Sequence, residues 1–332
     1  MQVQVQVLEI LQIQSIDASV GFLLLLGMMV GILSGLLGVG GGVLLTPALH
    51  VLGMPMPLAV GTTLTQMVAS SFTGASKHFR QKNIVFPIAL VFGLPALLGV
   101  WFGRNVMVFL DRQGSADTWT SLLYIGFLGY IGYNMYRRTQ RMVALASAQN
   151  DPTKLHPRPR LLRRLWLIGP RLKWKGFESI PIVTPVLLGL SVGLISSLTG
   201  LGGGFFYVPV MISFLSLSTT QAIGTSLVCV FLGSLVGAIG YFFADMVDVP
   251  VAVTLAIASS IGGVIGASAT QYVKGHSIRY LFTFLVWTAA VSMIFRRVGF
   301  PTASYYLLFS SAALVVVLAV ANAIYHYLVA RA

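Results

Sequence analysis

Apolar residues run along this chain in nine long stretches, at 20–52, 58–77, 84–102, 118–136, 184–215, 221–243, 249–273, 278–295 and 303–327, separated by short polar turns. Each holds about the ~20 residues that a helix needs to span a bilayer, or more. Residues 18–76 and 179–244 contain no Asp, Glu, Lys or Arg. The stretches at 20–52 and 184–215 exceed one crossing and are interrupted by glycines. The pattern predicts an all-α polytopic membrane protein of eight or nine transmembrane segments. Residues 1–14 instead alternate Gln with Val or Ile, a period-two pattern that a short strand, an interfacial segment or an unstructured end would each satisfy.

The chain also repeats itself. Residues 31–47 align without gaps on 193–209, which sets Gly38-Val-Gly-Gly-Gly42 on Gly200-Leu-Gly-Gly-Gly204 and Pro47 on Pro209. After a shift of one residue, Ala59-Val-Gly-Thr-Thr-Leu64 falls on Ala222-Ile-Gly-Thr-Ser-Leu227, and Pro87 falls on Pro250. Repeats of this kind are the first thing to look for in a sequence. They predict two homologous repeats, each with a glycine-broken first helix. The expected organisation is an N-terminal segment (1–17), a first repeat (18–136), a linker (137–180), a second repeat (181–297) and an additional C-terminal transmembrane segment (298–332).

Composition agrees with lipid as the main solvent: 56% of residues are apolar and 9% charged, against about 25% charged in soluble domains. The net charge of +13 would suggest a polyanion partner in a soluble protein, but its position argues otherwise. Eleven of the 21 basic residues, from Arg137 to Lys175, lie in the linker between the apolar halves. That is the mark of a cytoplasmic loop under the positive-inside rule, so no nucleic-acid partner is expected. With the linker inside, parallel halves would place Asp245 and Asp248 inside and Lys274 and Arg279 outside. An inverted second half repairs both and is favoured, although it leaves Arg296 and Arg297 outside. It needs an odd number of crossings before the second copy, as re-entrant broken segments would supply.

All eight acidic residues fall at segment ends or in loops, which counts against a cation pump. The single cysteine, Cys229, allows no disulfide. No metalloprotease, nucleophile-elbow or phosphate-loop motif is present, so no catalytic residue, metal or cofactor is expected and the chain reads as a non-enzyme. Lys77, His78, Arg80 and Lys82 read as a cytoplasmic anchor. His50, beside the first break but without a counterpart at Ile212, reads as a segment-end histidine.

The glycine clusters carry the functional signal. Each buried glycine costs about 1 kcal/mol of helix propensity relative to alanine, so clusters this dense should break the helix. Broken backbone at membrane depth survives only inside protein or beside a wet cavity. Matched breaks in two halves point to a transport site. A restarting helix presents free amides and the positive end of its dipole, so the expected ligand is an anion. Gly38, Gly40, Gly41 and Gly42, with Gly200, Gly202, Gly203 and Gly204, are the candidate donors. Thr62, Thr63, Gln66, Thr225 and Ser226 form a second polar set, for which helix capping and substrate contact are both open. The Gly-x-x-x-Gly pairs at 31/35, 99/103, 233/237 and 262/266 instead read as close helix packing.

With both glycine clusters and both Ala-x-Gly-Thr-Thr/Ser-Leu segments in view, the sequence resembles the TauE/SafE family of membrane permeases. The resemblance implies a multi-pass carrier of the prokaryotic plasma membrane, associated with sulfite, sulfoacetate and other small sulfur-containing anions. The long basic linker and the last segment depart from the family pattern. The expected function is secondary transport of a sulfur oxyanion or organosulfonate by alternating access between the repeats. The rivals are a passive anion channel and a non-transporting membrane scaffold acting through its linker. The oligomeric state is left open.

Overall fold

The computed structural model describes residues 18–147, 171–174, 177–215, 217–270 and 275–329; the 1–17 segment and most of the basic linker lie outside the described residues. Among the described residues eleven helices follow one another: α1 (Val20–Leu37), α2 (Gly42–Val51), α3 (Met56–Arg80), α4 (Phe86–Arg112), α5 (Ala116–Ser147), α6 (Val183–Thr199), α7 (Gly204–Leu215), α8 (Thr219–Phe242), α9 (Val249–Ala269), α10 (Gly275–Arg297) and α11 (Pro301–Val329). Ahead of α6, an antiparallel hairpin of β1 (Arg171–Trp174) and β2 (Phe177–Pro181) departs from the all-helical expectation. Among the described residues, α1, α4, α8, α9 and the Pro301–Leu318 part of α11 are long and apolar enough to cross a membrane. Their outward faces carry bare Leu, Ile, Phe and Trp, among them Leu98, Trp101 and Ile257. In water such a surface would associate; in lipid it is the ordinary exterior.

Helix starts follow local chemistry. Ser19 Oγ accepts from Phe22 N at 3.3 Å, Ser218 and Gln221 form a capping box on α8, and Asp248 Oδ1 accepts from Val251 N at 3.1 Å. Proline stands in the first turn of α3, α4 and α9, where no helical amide bond is required.

Glycines decide which helices meet. Gly27, Gly31 and Gly35 of α1 lie against Leu255, Ser259 and Gly263 of α9, so these two run parallel. Gly99 and Gly103 of α4 lie against Leu190 and Leu194 of α6 in the same sense. A Cβ on Gly31, Gly35, Gly99, Gly193, Gly262 or Gly266 would overlap a backbone carbonyl of the partner helix. The packing expected for the 31/35, 99/103 and 262/266 pairs is therefore present. The pair at 233/237 differs: a Cβ on Gly233 would meet only Val100 Cγ2 at 3.7 Å, and one on Gly237 mainly Leu64 Cδ1 at 3.0 Å, with no helix backbone pressed on either.

The ends of the helices fix their directions. Phe22 stacks on Tyr305 near the start of α11, and Arg296 Nη1 at the end of α10 donates to Val51 O at 2.8 Å. The α1–α2 unit therefore enters and leaves at one end of the molecule. Met56 N donates to Asp117 Oδ1 at 2.9 Å, which puts the starts of α3 and α5 at this same end. At the other end, Leu215 at the end of α7 and Leu217 just after it cluster with Ile88 and Ala89 at the start of α4, beside which α6 also begins. The α1–α2 and α6–α7 units thus enter from opposite ends.

Candidate functional site

Two chain breaks meet at the centre. Gly38 closes α1 and Gly200 closes α6 in the left-handed conformation, at φ 71° and 70°, and their amides donate to Ser34 O at 2.8 Å and Ser196 O at 2.7 Å. Gly40 and Gly41 follow at φ 81° and 83°, and Gly202 and Gly203 at 76° and 72°. A side chain resists this region, so three such residues within four take the chain out of helix until α2 and α7 restart at Gly42 and Gly204. The breaks also interlock. A Cβ on Gly42 would overlap the Gly200 carbonyl oxygen, and one on Gly204 would overlap that of Gly38.

Residues 38–43 and 200–205 are all buried. Yet the amides of Val39, Gly40, Gly41, Gly42 and Val43, and those of Leu201, Gly202, Gly203 and Gly204, have no hydrogen-bond acceptor among the described residues. Buried backbone donors are nearly always paired, and each one left unpaired costs about 1–3 kcal/mol. The orphans cluster at the N-terminal ends of two helices, where the dipoles add positive potential. Ser34 Oγ, Thr46 Oγ1, Thr63 Oγ1 and Gln66 Oε1 are likewise buried without partners. A void of about 10 Å³ beside the first break is lined by Val30, Ser34, Gly41, Val43 and Leu285. That is the scale of one water molecule. An oxyanion is larger than that.

The second polar set divides by role. Thr62 Oγ1 accepts from Asp248 N at 3.0 Å, and Thr225 Oγ1 accepts from Val85 N at 3.0 Å, so each caps the fourth helix of the opposite half. Ser226 Oγ lies 2.8 Å from both Gly38 O and Ile223 O, tying α8 to the first break. Gln66 Nε2 donates to Ser259 Oγ at 2.5 Å, while its own Oε1 stays unpaired. Thr63 is buried with its hydroxyl free. Ser34 was legible as a matched pair with Ser196. Tyr124, whose hydroxyl donates toward Gly42 O at 3.0 Å and Val43 O at 3.2 Å, left no sequence signal because it comes from α5.

The charged residues flank this centre. His50 Nδ1 donates to Met54 O at 3.0 Å and lies 3.9 Å from Asp117 Oδ1, at the end where Arg296 caps α2. His78 corrects the anchor reading: it is fully buried beside Gly224, with Asn83 Nδ2 3.4 Å from its Nδ1, and does not share the outward face of Arg80. One residue along a helix turns the side chain by about 100°, so a basic run need not share a face. Among the described residues no three His, Cys, Asp or Glu side chains come together as a metal site.

The family model described as "Sulfite exporter TauE/SafE" matches residues 23–293, a span that contains both breaks and the contacts between them. The chain belongs to the TauE/SafE family. A "Probable membrane transporter protein" of Xylella fastidiosa is 27% identical over 86% of this chain and 97% of its own length. The Bacillus subtilis "Probable membrane transporter protein YdhB" is 26% identical over 75% of this chain and 89% of its own. An Arabidopsis thaliana "Sulfite exporter TauE/SafE family protein 3" is 32% identical over 24% of this chain and 17% of its own. No solved structure matches the chain. This TauE/SafE protein is a multi-pass membrane transporter of the plasma membrane, acting on a small-molecule substrate.

Proposed function

We propose that this protein is a secondary carrier for small sulfur-containing anions, such as sulfite, sulfate or an organosulfonate, which it binds between the two breaks and moves by alternating access. The observation that carries this reading is the set of nine buried amides without acceptors, five from one break and four from the other. A cation offers such donors nothing and a neutral solute only uncharged acceptors, whereas an oxyanion accepts several charge-assisted amide bonds at once, the stronger class of hydrogen bond. Ser34 and Thr63 add free hydroxyl donors at the same depth. Sulfur as the central atom comes from the family description and from the name of the Arabidopsis relative.

In this reading the nine apolar segments become seven crossings and two re-entrant pairs, α1–α2 and α6–α7. At about 1.5 Å per residue, α2 is about 15 Å long, half of a ~30 Å hydrocarbon core, which sets the break near the midplane. Three crossings then separate the halves, the odd number that inversion requires. The Lys77–Lys82 turn, the linker and Arg279 share the cytoplasmic face, while Asp111, Asp117, Asp245 and Asp248 share the outer one. Inverted repeats around a midplane site made from broken helices are a recurrent carrier plan.

The test is flux of labelled sulfite, sulfate and sulfoacetate into proteoliposomes, with Gly41→Ala and Gly203→Ala beside the wild type. Each substitution strains a left-handed residue by about 1–2 kcal/mol, so variants that stay monodisperse are compared. The expected result is wild-type flux of at least one of these anions, with at least a tenfold loss in both variants. Undiminished flux in both removes the breaks from the site.

A further inference from the structure

We propose that Met67 is the gate of the anion site and sets the size of the anion admitted; this rests on the reading that the anion binds between the breaks. Met67 lies on α3, is fully buried, and reaches the point where the two breaks face each other. Its Cε is the nearest atom to a Cβ built on Gly40 and also to one built on Gly202, and would overlap either. One methyl group therefore fills the space above a left-handed glycine of each break. Val230, which occupies the matched position in the second half, approaches Gly40 from α8 but is the shorter side chain. The seal is thus asymmetric, and most of it is methionine.

In this proposal an anion bound between the breaks takes the space beside the Gly40 and Gly202 α-carbons that the methyl group fills. Methionine suits the task, since it is unbranched, apolar and turns about three side-chain bonds, so it can swing clear without moving the backbone. The backbone beneath it is held: Ser71 Oγ donates to Met67 O at 2.5 Å, and its neighbour Gln66 is tied to Ser259 of α9. The motion is therefore confined to the side chain. How far that side chain retracts fixes how much anion fits.

The experiment compares sulfite with the larger sulfoacetate in proteoliposomes carrying wild type, Met67→Ala and Met67→Val, the last being the residue of the matched position. The expected result is that Met67→Ala raises the sulfoacetate-to-sulfite flux ratio by roughly tenfold, the discrimination that about one methylene supplies in an apolar pocket, with Met67→Val in between. In a Cys229→Ala background, Met67→Cys should react with a small methanethiosulfonate reagent and be shielded by sulfate or sulfoacetate, neither of which attacks the reagent, but not by choline. A flux ratio unchanged in both variants, or labelling that ignores sulfate and sulfoacetate alike, overturns the gate and leaves the anion site standing. Wild-type protein that moves neither anion overturns the site itself, a separate outcome. If Met67→Ala fails to fold, Met67→Val and the labelling arm still decide.

Discussion

Thr62 and Thr225 show how one atom can settle what spacing left open. Their hydroxyl oxygens accept the amides of Asp248 and Val85, so both are occupied in holding the start of a helix from the other half. Replacing either by the isosteric valine removes the acceptor from a part-buried amide, worth up to about 1–3 kcal/mol. Thr62→Val and Thr225→Val are therefore expected to lower the melting temperature by several degrees without changing anion affinity, measured by thermal unfolding and by titration with sulfite. Because the two contacts lie at opposite ends of the molecule, the double variant should lose about the sum of the single losses. The matched Thr positions were visible in the sequence; their acceptor role was not, since the donors lie 186 and 140 residues away. Met67 was hidden for a related reason: an apolar residue in an apolar run carries no mark of what it covers.

Among the elements, the glycine spacing was the readable part and the identity of the partner was not. Gly31, Gly35, Gly262 and Gly266 form the α1–α9 seam, and Gly99, Gly103, Gly189 and Gly193 the α4–α6 seam, each with the neighbouring backbone in contact. The same four-residue spacing at Gly233 faces a loose side-chain contact, because spacing selects a face of a helix but cannot say how closely another helix lies against it. The difference is testable. Gly99→Ala would drive a methyl group into the Leu190 carbonyl and is expected to destabilise the protein markedly. Gly233→Ala has room and removes a flexible residue from mid-helix, so neutrality or a gain of up to about 1 kcal/mol is expected. Thermal unfolding of both variants in detergent separates them. The breaks themselves were legible because dense glycine is costly in a helix. Their interlocking was not, since it depends on where two half-helices stop in space.

For the molecule as a whole, hydropathy located the nine apolar stretches and internal alignment matched the halves. Hydropathy is silent on whether a chain that enters the bilayer leaves by the far face or the near one, so the proposed crossing parity rests on contacts such as Arg296 with Val51 O. The charge argument for inversion follows the same geometry, with Lys77, Arg80 and Lys82 at one end and Asp117 and Asp248 at the other. Cysteines placed singly in the Cys229→Ala background test the membrane orientation. A cysteine at Gly114, between α4 and α5, should react with an impermeant maleimide added to intact cells; one at Asn83, between α3 and α4, should react only after the cells are opened. The opposite labelling would reverse the assigned faces.

The parallel seams make neither half of the sequence a mechanical body. The first helix of each half is fastened to the fourth helix of the other, so a boundary drawn at the linker would cut both tightest seams. If access alternates, the parts that slide past one another are mixed bundles, α1 with α9 and α4 with α6, which the linker joins without dividing. A fragment ending in that linker would expose a bare glycine groove made for the fourth helix of its missing half. Two copies of one such fragment, lying head to tail, would offer each other the nearest substitute.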